Sequence, residues 1–147
     1  MGASFILVAI AWDLNTAGAA PWTYLAREAT HPNGTNNGDE HHTIRRWTAE
    51  SEEEIDTVTP VALIWHMRKN NTNGNGVTGS VHHNGTVLDS FAIAGNEMAG
   101  VTRTVYVNIS PGDFIDLAHS PVGTTGTHDG SDSSMNWIRI DQRIPAS

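Results

Sequence analysis

The chain has 147 residues, of which 38% are apolar, and its 16 Asp or Glu against eight Lys or Arg give a formal net charge of −8. A chain of this length can bury its own hydrophobic core, so we expect residues 1–147 to form a single domain. The acidic balance argues against nucleic acid or an anionic membrane surface as a partner. The absence of cysteine excludes disulfides, zinc–thiolate sites and thiol catalysis.

Residues 4–12 are the first candidate strand. They contain the apolar run FILVAIA, which no Lys or Arg precedes and which is far shorter than the roughly 20 apolar residues of a membrane helix. We therefore predict a buried strand rather than a signal peptide, and no membrane insertion. Such a strand could also complete the sheet of a second copy of the chain, which would make the protein a homo-oligomer.

Residues 13–43 are rich in loop-forming residues, with Pro21, Pro32 and the polar run NGTNNGDEHH at 33–42. We expect no regular structure there beyond one turn near residues 24–28. A loop of this length is uncommon in a compact domain and is often functional.

The clearest strand pattern follows at residues 55–69, after a short strand predicted at 44–49. Its side chains alternate between two faces with the period of two that is typical of a β-strand. One face carries Val61, Leu63, Trp65 and Met67, and the other carries Ala62, Ile64, His66 and Arg68.

A β-hairpin is predicted at residues 77–93. Asn84-Gly85 separates its two strand-like runs, and a type I′ turn requires positive φ at both central residues, which this pair tolerates best. Further strands are predicted at residues 101–109, 114–119 and 135–141, the last after a polar loop at 120–134. About eight strands separated by turn signals predict an all-β fold, an antiparallel and jelly-roll-like β-sandwich.

Four segments carry a resemblance to a known group of domains. They are IRRWTAE (44–50), GNGVTGSVHHNGTVLDS (74–90), GDFIDLAHSPVG (112–123) and DGSDSSMNWIRI (129–140). In this order they resemble jelly-roll-like β-sandwich accessory domains of large exported proteins from environmental bacteria, planctomycete-like and cyanobacterial ones, often beside carbohydrate-active modules. The resemblance covers residues 44–140, with a weaker match at PWTYL (21–25).

This resemblance implies a non-catalytic module that binds carbohydrate or serves adhesion. Its partner would be a glycan or polysaccharide, and the protein would be secreted or lie at the cell surface. The chain departs from the pattern of the group at residues 116–117, where Asp-Leu replaces Asp-Phe, and at residues 132–134, where Asp-Ser-Ser replaces Asp-Ser-Thr.

Aromatic residues in or beside the long loop are the candidate ligand-binding residues. Trp22, Tyr24 and Trp47 could stack on the C–H face of a sugar ring, and Arg45 and Arg46 could flank that platform. The other tryptophans in strands are expected in the core, where a large aromatic ring buries most area.

Acidic residues gather toward the C-terminal end of the chain. Asp113, Asp116, Asp129 and Asp132 alternate with Gly and Ser, and Ca²⁺ prefers carboxylate and carbonyl oxygens on such flexible segments. We predict a structural calcium ion held by these four residues. The alternative is a solvated loop in which Asp and Ser satisfy their own backbone.

Eight histidines leave room for a metal-dependent enzyme. A site would need His66 with His82 or His83 and a third ligand, because neighbours in a strand point to opposite faces. No Gly-x-Ser-x-Gly elbow is present, so we lean against an enzyme. Three hypotheses follow: a carbohydrate-binding or adhesive module, a self-assembling structural subunit that donates residues 4–12, and a histidine-metal enzyme.

Overall fold

A computed structural model describes residues 12–13, 21–26, 29–49, 57–124, 126–127 and 133–142, with residues 12–13, 126–127 and 133–142 described as backbone. Its strands are β1 (Trp12–Asp13), β2 (Tyr24–Leu25), β3 (Thr30–His31), β4 (Thr43–Thr48), β5 (Thr59–Lys69), β6 (Val77–His83), β7 (Thr86–Ile93), β8 (Val101–Ile109), β9 (Phe114–Ser120), β10 (Val122–Gly123), β11 (Gly126–Thr127) and β12 (Ser133–Gln142). A short 3-10 helix spans Thr35–Asn37. No helix in the described part of the chain is long and apolar enough to cross a membrane.

Two antiparallel sheets make up the body of the fold. One has the order β1-β2-β3-β12-β5-β8 and the other β4-β9-β6-β7, while β10 and β11 form a separate ribbon. Without the short β1 and β2, the four strands β3-β12-β5-β8 of one sheet face the four strands β4-β9-β6-β7 of the other. The chain crosses repeatedly from one sheet to the other, as it does in an eight-stranded jelly roll. The predicted all-β antiparallel sandwich is confirmed.

The alternation of side chains predicted for β5 is confirmed, and its inward-facing residues form the centre of the core. Val61, Leu63, Trp65 and Met67 are each at most 1% exposed. They pack against the inner faces of β6, β7 and β9, so the apolar stripe of one sheet is covered by the other. The other core residues in the described part of the chain are Ala49, Val77, Val81, Ile93, Ile109, Ile115 and Leu117.

The predicted β6–β7 hairpin is confirmed together with its turn. Asn84 has φ 49° and Gly85 has φ 85°, the positive values that a type I′ turn requires. The same asparagine also anchors the turn to β9, because its backbone N–H donates to the carbonyl of Phe114 at 3.0 Å and its Oδ1 accepts from the Phe114 N–H at 2.9 Å. A folding signal read from the sequence thus has a tertiary role as well.

The connecting segments hold more strand structure than predicted. Residues 24–25 form β2 where a turn was expected, because they pair with β3. The predicted loop at 120–134 contains β10 and β11, and β12 begins at Ser133 rather than at residue 135. Residues 4–11 lie outside the described residues, so the N-terminal strand and its donation to a second copy stay predictions. Trp12–Asp13 pairs with Tyr24–Leu25 of the same chain.

Candidate functional site

A groove lies beside β4, a strand at one edge of the four-stranded sheet. Its volume is about 440 Å³, within the range of roughly 300–1,000 Å³ that ligand clefts span. Most of its wall is apolar, and two guanidinium groups supply the polar part. It is lined by Leu25, Ile44, Arg45, Arg46, Trp47, Ile115 and Leu117.

The geometry of β4 explains why four consecutive residues line one groove. Arg45 and Trp47 lie on the face of β4 that is turned toward the core, and Ile44 and Arg46 lie on the opposite face. Within the described part of the chain β4 pairs with β9 on one side only, so side chains from both faces can border its other edge. The structure therefore brings together three of the predicted ligand-binding residues, namely Arg45, Arg46 and Trp47.

The apolar wall of the groove is continuous with the core. Trp47 is half-buried and packs against the core cluster. It stands opposite Ile115 of β9 in the strand register, and Leu117 stands opposite Arg45. Leu25 of β2 adds an apolar side chain from the other sheet. The groove is thus built where the two sheets meet.

Arg46 is held in place by a carboxylate and an aromatic ring. Its Nε donates to Oδ1 of Asp116 at 2.7 Å and its Nη2 to Oδ2 at 2.8 Å, and its guanidinium lies 4.0 Å from the ring centroid of Phe114. The Asp116 carboxylate raises the pKa of Arg46, and Arg46 lowers the pKa of Asp116. Arg46 therefore reaches the groove pre-oriented and with its charge balanced.

Arg45 has a different environment from its neighbour. Its Nη2 donates to the carbonyl of Ala26, while its Nε is buried without a hydrogen-bond partner. Burial lowers the pKa of Arg45. The two adjacent arginines thus differ in how their charge is balanced. Arg46 is paired with a carboxylate, whereas Arg45 contacts a neutral carbonyl.

Trp22 and Tyr24, the other two predicted ligand-binding residues, do not line the groove. Trp22 is 42% exposed, and Tyr24 is half-buried and precedes Leu25 in β2. Two of the five predicted ligand-binding residues are therefore not among the residues that line the groove.

A buried asparagine positions the segment that carries Trp22. Asn33 is completely buried; its Oδ1 accepts from the Trp22 N–H at 2.8 Å, and its Nδ2 donates to the Asp39 carbonyl at 2.7 Å. Its backbone exchanges two hydrogen bonds with His41. The long polar segment is therefore an ordered loop closed on itself around one side chain.

Sequence reasoning missed the apolar members of the groove. Ile44 is 52% exposed, and an exposed isoleucine beside two arginines was a usable signal. Ile115 and Leu117 carried no such signal. They follow β4 by about 70 residues in the chain, and they lie beside it only because β9, to which they belong, pairs with β4.

The structure describes two of the four predicted calcium ligands, Asp113 and Asp116, and both carboxylates bind other residues of the protein. The Asp113 carboxylate accepts from the Ser110 N–H at 2.8 Å, from Asn84 Nδ2 at 2.8 Å and from His83. These bonds lower the pKa of Asp113 to about 2. Asp116 binds Arg46, so a calcium ion would have to displace both sets of partners.

Asp129 and Asp132 lie outside the described residues, and the calcium prediction now rests on them. No group of three His, Asp or Glu side chains suited to a metal ion occurs among the residues that the structure describes.

Six of the described histidines form hydrogen bonds with oxygen atoms of neighbouring residues. His66, in β5 of one sheet, is bonded to Thr102, whereas His82 and His83, in β6 of the other sheet, are bonded to Ser80 and Asp113. His41 is bonded to Thr23, His42 to Glu40 and His119 to Thr30. The structure does not bring the proposed ligand set of a histidine-metal enzyme together.

The fold and its groove define the class: a jelly-roll β-sandwich with a cleft at the edge of one sheet. No protein-family model matches the chain, and no curated protein matches it.

Several solved structures of carbohydrate-binding modules are similar in fold. A CBM36 module in complex with calcium and xylotriose is 12% identical and gives a TM-score of 0.44 over 90% of this chain and 88% of that chain. The C-terminal CBM6 of LamC, a marine laminarinase of Zobellia galactanivorans, is 16% identical, with a TM-score of 0.44 over 89% and 90% of the two chains. A family 35 module of Clostridium thermocellum is 13% identical, with a TM-score of 0.42 over 90% of each chain. Likeness at this distance transfers neither a ligand nor a binding residue to this chain.

Proposed function

We propose that this domain is a non-catalytic carbohydrate-binding module that takes a glycan or polysaccharide in the β4 groove. The observation that carries the proposal is the meeting of Arg45, Arg46 and Trp47 beside an apolar wall in a cleft of ligand size. A sugar ring has C–H faces that suit an apolar wall or an indole, and hydroxyl groups that accept from a guanidinium.

The way Arg46 is fixed favours binding of a flexible ligand such as a glycan. Its two bonds to Asp116 and its stacking on Phe114 hold the guanidinium before any ligand arrives. Pre-organised side chains lose less entropy on binding, which strengthens association. Free N–H groups of such a fixed arginine can then meet sugar hydroxyls.

Three of the described carboxylates, Asp89, Asp113 and Asp116, are unsuited to act as the acid of a glycoside hydrolase. Glycoside hydrolysis needs a carboxylic acid with a raised pKa to protonate the leaving group. Hydrogen bonds and ion pairs instead lower the pKa of Asp89, Asp113 and Asp116. Each of the three is therefore ionised at neutral pH and engaged with a basic partner.

A polysaccharide ligand also bears on where the domain works. Such polymers occur mainly outside the cell, so we place the module in an exported protein, secreted or at the cell surface, where binding could also serve adhesion.

The test is a binding experiment with a groove variant and a matched control. Ile44 and Val87 are aliphatic residues on the two edge strands of one sheet, exposed by 52% and 55%, and only Ile44 lines the groove. We expect Ile44→Asp to weaken binding at least about tenfold, because a sugar face would have to desolvate the new carboxylate. Val87→Asp should bind as wild type.

Binding is measured by pull-down with xylan and cellulose and by calorimetry with xylotriose, the ligand named for one structural neighbour. A wider glycan array covers other sugars. If no glycan is retained, or if the Ile44 and Val87 variants bind alike, the groove is not a sugar site. Loss of binding in Trp22→Ala with normal binding in Ile44→Asp would move the site to the loop that carries Trp22.

A further inference from the structure

The charge balance of the groove is uneven among its described residues. Two guanidinium groups face it, and one of them, that of Arg46, is neutralised by the two-point contact with Asp116. The described contact of Arg45 is to the carbonyl of Ala26, which carries no formal charge. Within the described part of the chain the groove therefore keeps one positive charge that no carboxylate balances.

That charge lies in surroundings that favour an incoming anion. Arg45 is half-buried and lines the groove together with Leu25 and with Leu117, its cross-strand partner in β9. Removing a cation from water without a counter-charge costs free energy, and attraction between opposite charges is stronger beside apolar groups than in water. A ligand anion would supply the missing counter-charge.

We propose that the β4 groove selects a saccharide bearing an anionic substituent, a carboxylate or a sulfate ester, which pairs with Arg45. The proposal rests on the carbohydrate-binding function and names its substrate class. The formal net charge of the chain is −8, so the overall field repels such a ligand, and the preference must arise locally at this arginine.

The experiment compares sugars that differ only in charge. Calorimetry is run with tetragalacturonate and its fully methyl-esterified form, and with a sulfated galactan oligosaccharide and its desulfated form. In each pair the ring and the linkage stay the same while the negative charge is removed. We expect the charged member of at least one pair to bind roughly tenfold more tightly, the effect of one charge-assisted hydrogen bond. The two pairs separate a carboxylate ligand from a sulfate ligand.

Variants assign the preference to one side chain. Arg45→Gln should abolish the difference between charged and neutral sugars, and Arg45→Lys should retain part of it, because an ammonium keeps the charge but not the planar fork. Arg68→Gln removes the same charge at an exposed position on β5 and should leave the preference intact. Melting temperatures confirm that each variant is folded.

Each outcome decides between the two proposals. If charged and neutral sugars bind equally well and Ile44→Asp abolishes the binding of both, the charge proposal is wrong. The proposal that the groove binds carbohydrate is then still supported. A preference that survives Arg45→Gln also overturns it, because the anion then binds elsewhere. If no sugar of either kind binds, the proposed function itself fails.

Discussion

At the scale of single residues, one carboxylate joins the two sheets. Asp89 of β7 accepts from Trp65 Nε1 at 3.0 Å and from the Nε and Nη2 of Arg103 in β8 at 2.7 and 2.8 Å. Arg103 also lies 4.8 Å from the ring centroid of Phe91. Since β7 and β8 are edge strands of different sheets, this cluster closes one side of the sandwich.

Replacing Asp89 should therefore destabilise the fold. Its side chain is 11% exposed, so Asp89→Ala leaves a buried indole N–H and a guanidinium without their acceptor, a loss of about 2–4 kcal/mol in the free energy of unfolding. Asp89→Asn should cost less, because an amide oxygen can still accept from Trp65. Urea unfolding at pH 7 measures both.

Asp39→Ala serves as the control for this prediction. Asp39 is an exposed loop residue, and its replacement should change stability by no more than about 0.5 kcal/mol. An Asp89→Ala protein as stable as this control would show that the cluster does not hold the sheets together.

At the scale of an element, two glycines with positive φ serve different purposes. Gly85, in the β6–β7 turn, has φ +85° and open space around a Cβ built on it. Gly76, which precedes β6, has φ +98°, and a Cβ there would lie 1.9 Å from the Ile93 carbonyl oxygen of β7. One glycine is needed for its backbone conformation alone, and the other also for close approach of two chain segments.

The two alanine variants should separate these requirements. Gly85→Ala should lower the free energy of unfolding by about 1–2 kcal/mol, the strain of an L-residue in the left-handed region. Gly76→Ala should lower it by at least about 2 kcal/mol more, since backbone must also move. Thermal and urea unfolding measure both, and equal losses would mean that the Gly76 segment adjusts without strain.

At the scale of the whole molecule, a buried histidine links the sheets at the groove side of the sandwich. His119 of β9 is 1% exposed, and its Nδ1 is 2.5 Å from Oγ1 of Thr30 in β3. Burial, with smaller contributions from the charges of Lys69, His31 and His42, lowers the pKa of His119 to about 3. The folded protein therefore holds this imidazole neutral at pH values where an unfolded chain would protonate it.

This difference makes the fold sensitive to acid. The ordinary pKa is 6.5 and the folded one about 3, so between these values the unfolded state binds a proton that the folded state does not. The free energy of unfolding is unaffected above pH 6.5 and falls with pH below it, by up to about 1.4 kcal/mol for each pH unit. His119→Gln should remove this contribution.

The measurement is urea unfolding at several pH values between 7 and 4. The stability of wild type relative to His119→Gln should shrink steadily as the pH falls. Thr30→Val keeps the histidine and should retain the pH dependence of wild type while being less stable at every pH, because a buried imidazole nitrogen loses its partner. Parallel curves for wild type and His119→Gln would contradict the assignment.

The strands of the second half of the chain could be predicted because their signals are local. The apolar alternation of β5 and the Asn84-Gly85 turn depend on residues that are neighbours in the sequence, and side-chain period and turn chemistry act over that distance. The segments before β4 could not be predicted as well. β2 and β3 are two residues long and exist through pairing, which no local preference reveals.

By itself, the sequence determined the all-β class and the main strands, and it singled out Arg45, Arg46 and Trp47, which the structure places beside one groove. Only the tertiary structure decided that Asp116 neutralises Arg46, that Arg45 meets a carbonyl, and that Leu25 belongs to the groove in place of Trp22. The physical reason is register: these contacts join residues 19 to 70 positions apart, and their partners are set by how strands align and sheets pack, not by the residues next to them in the chain.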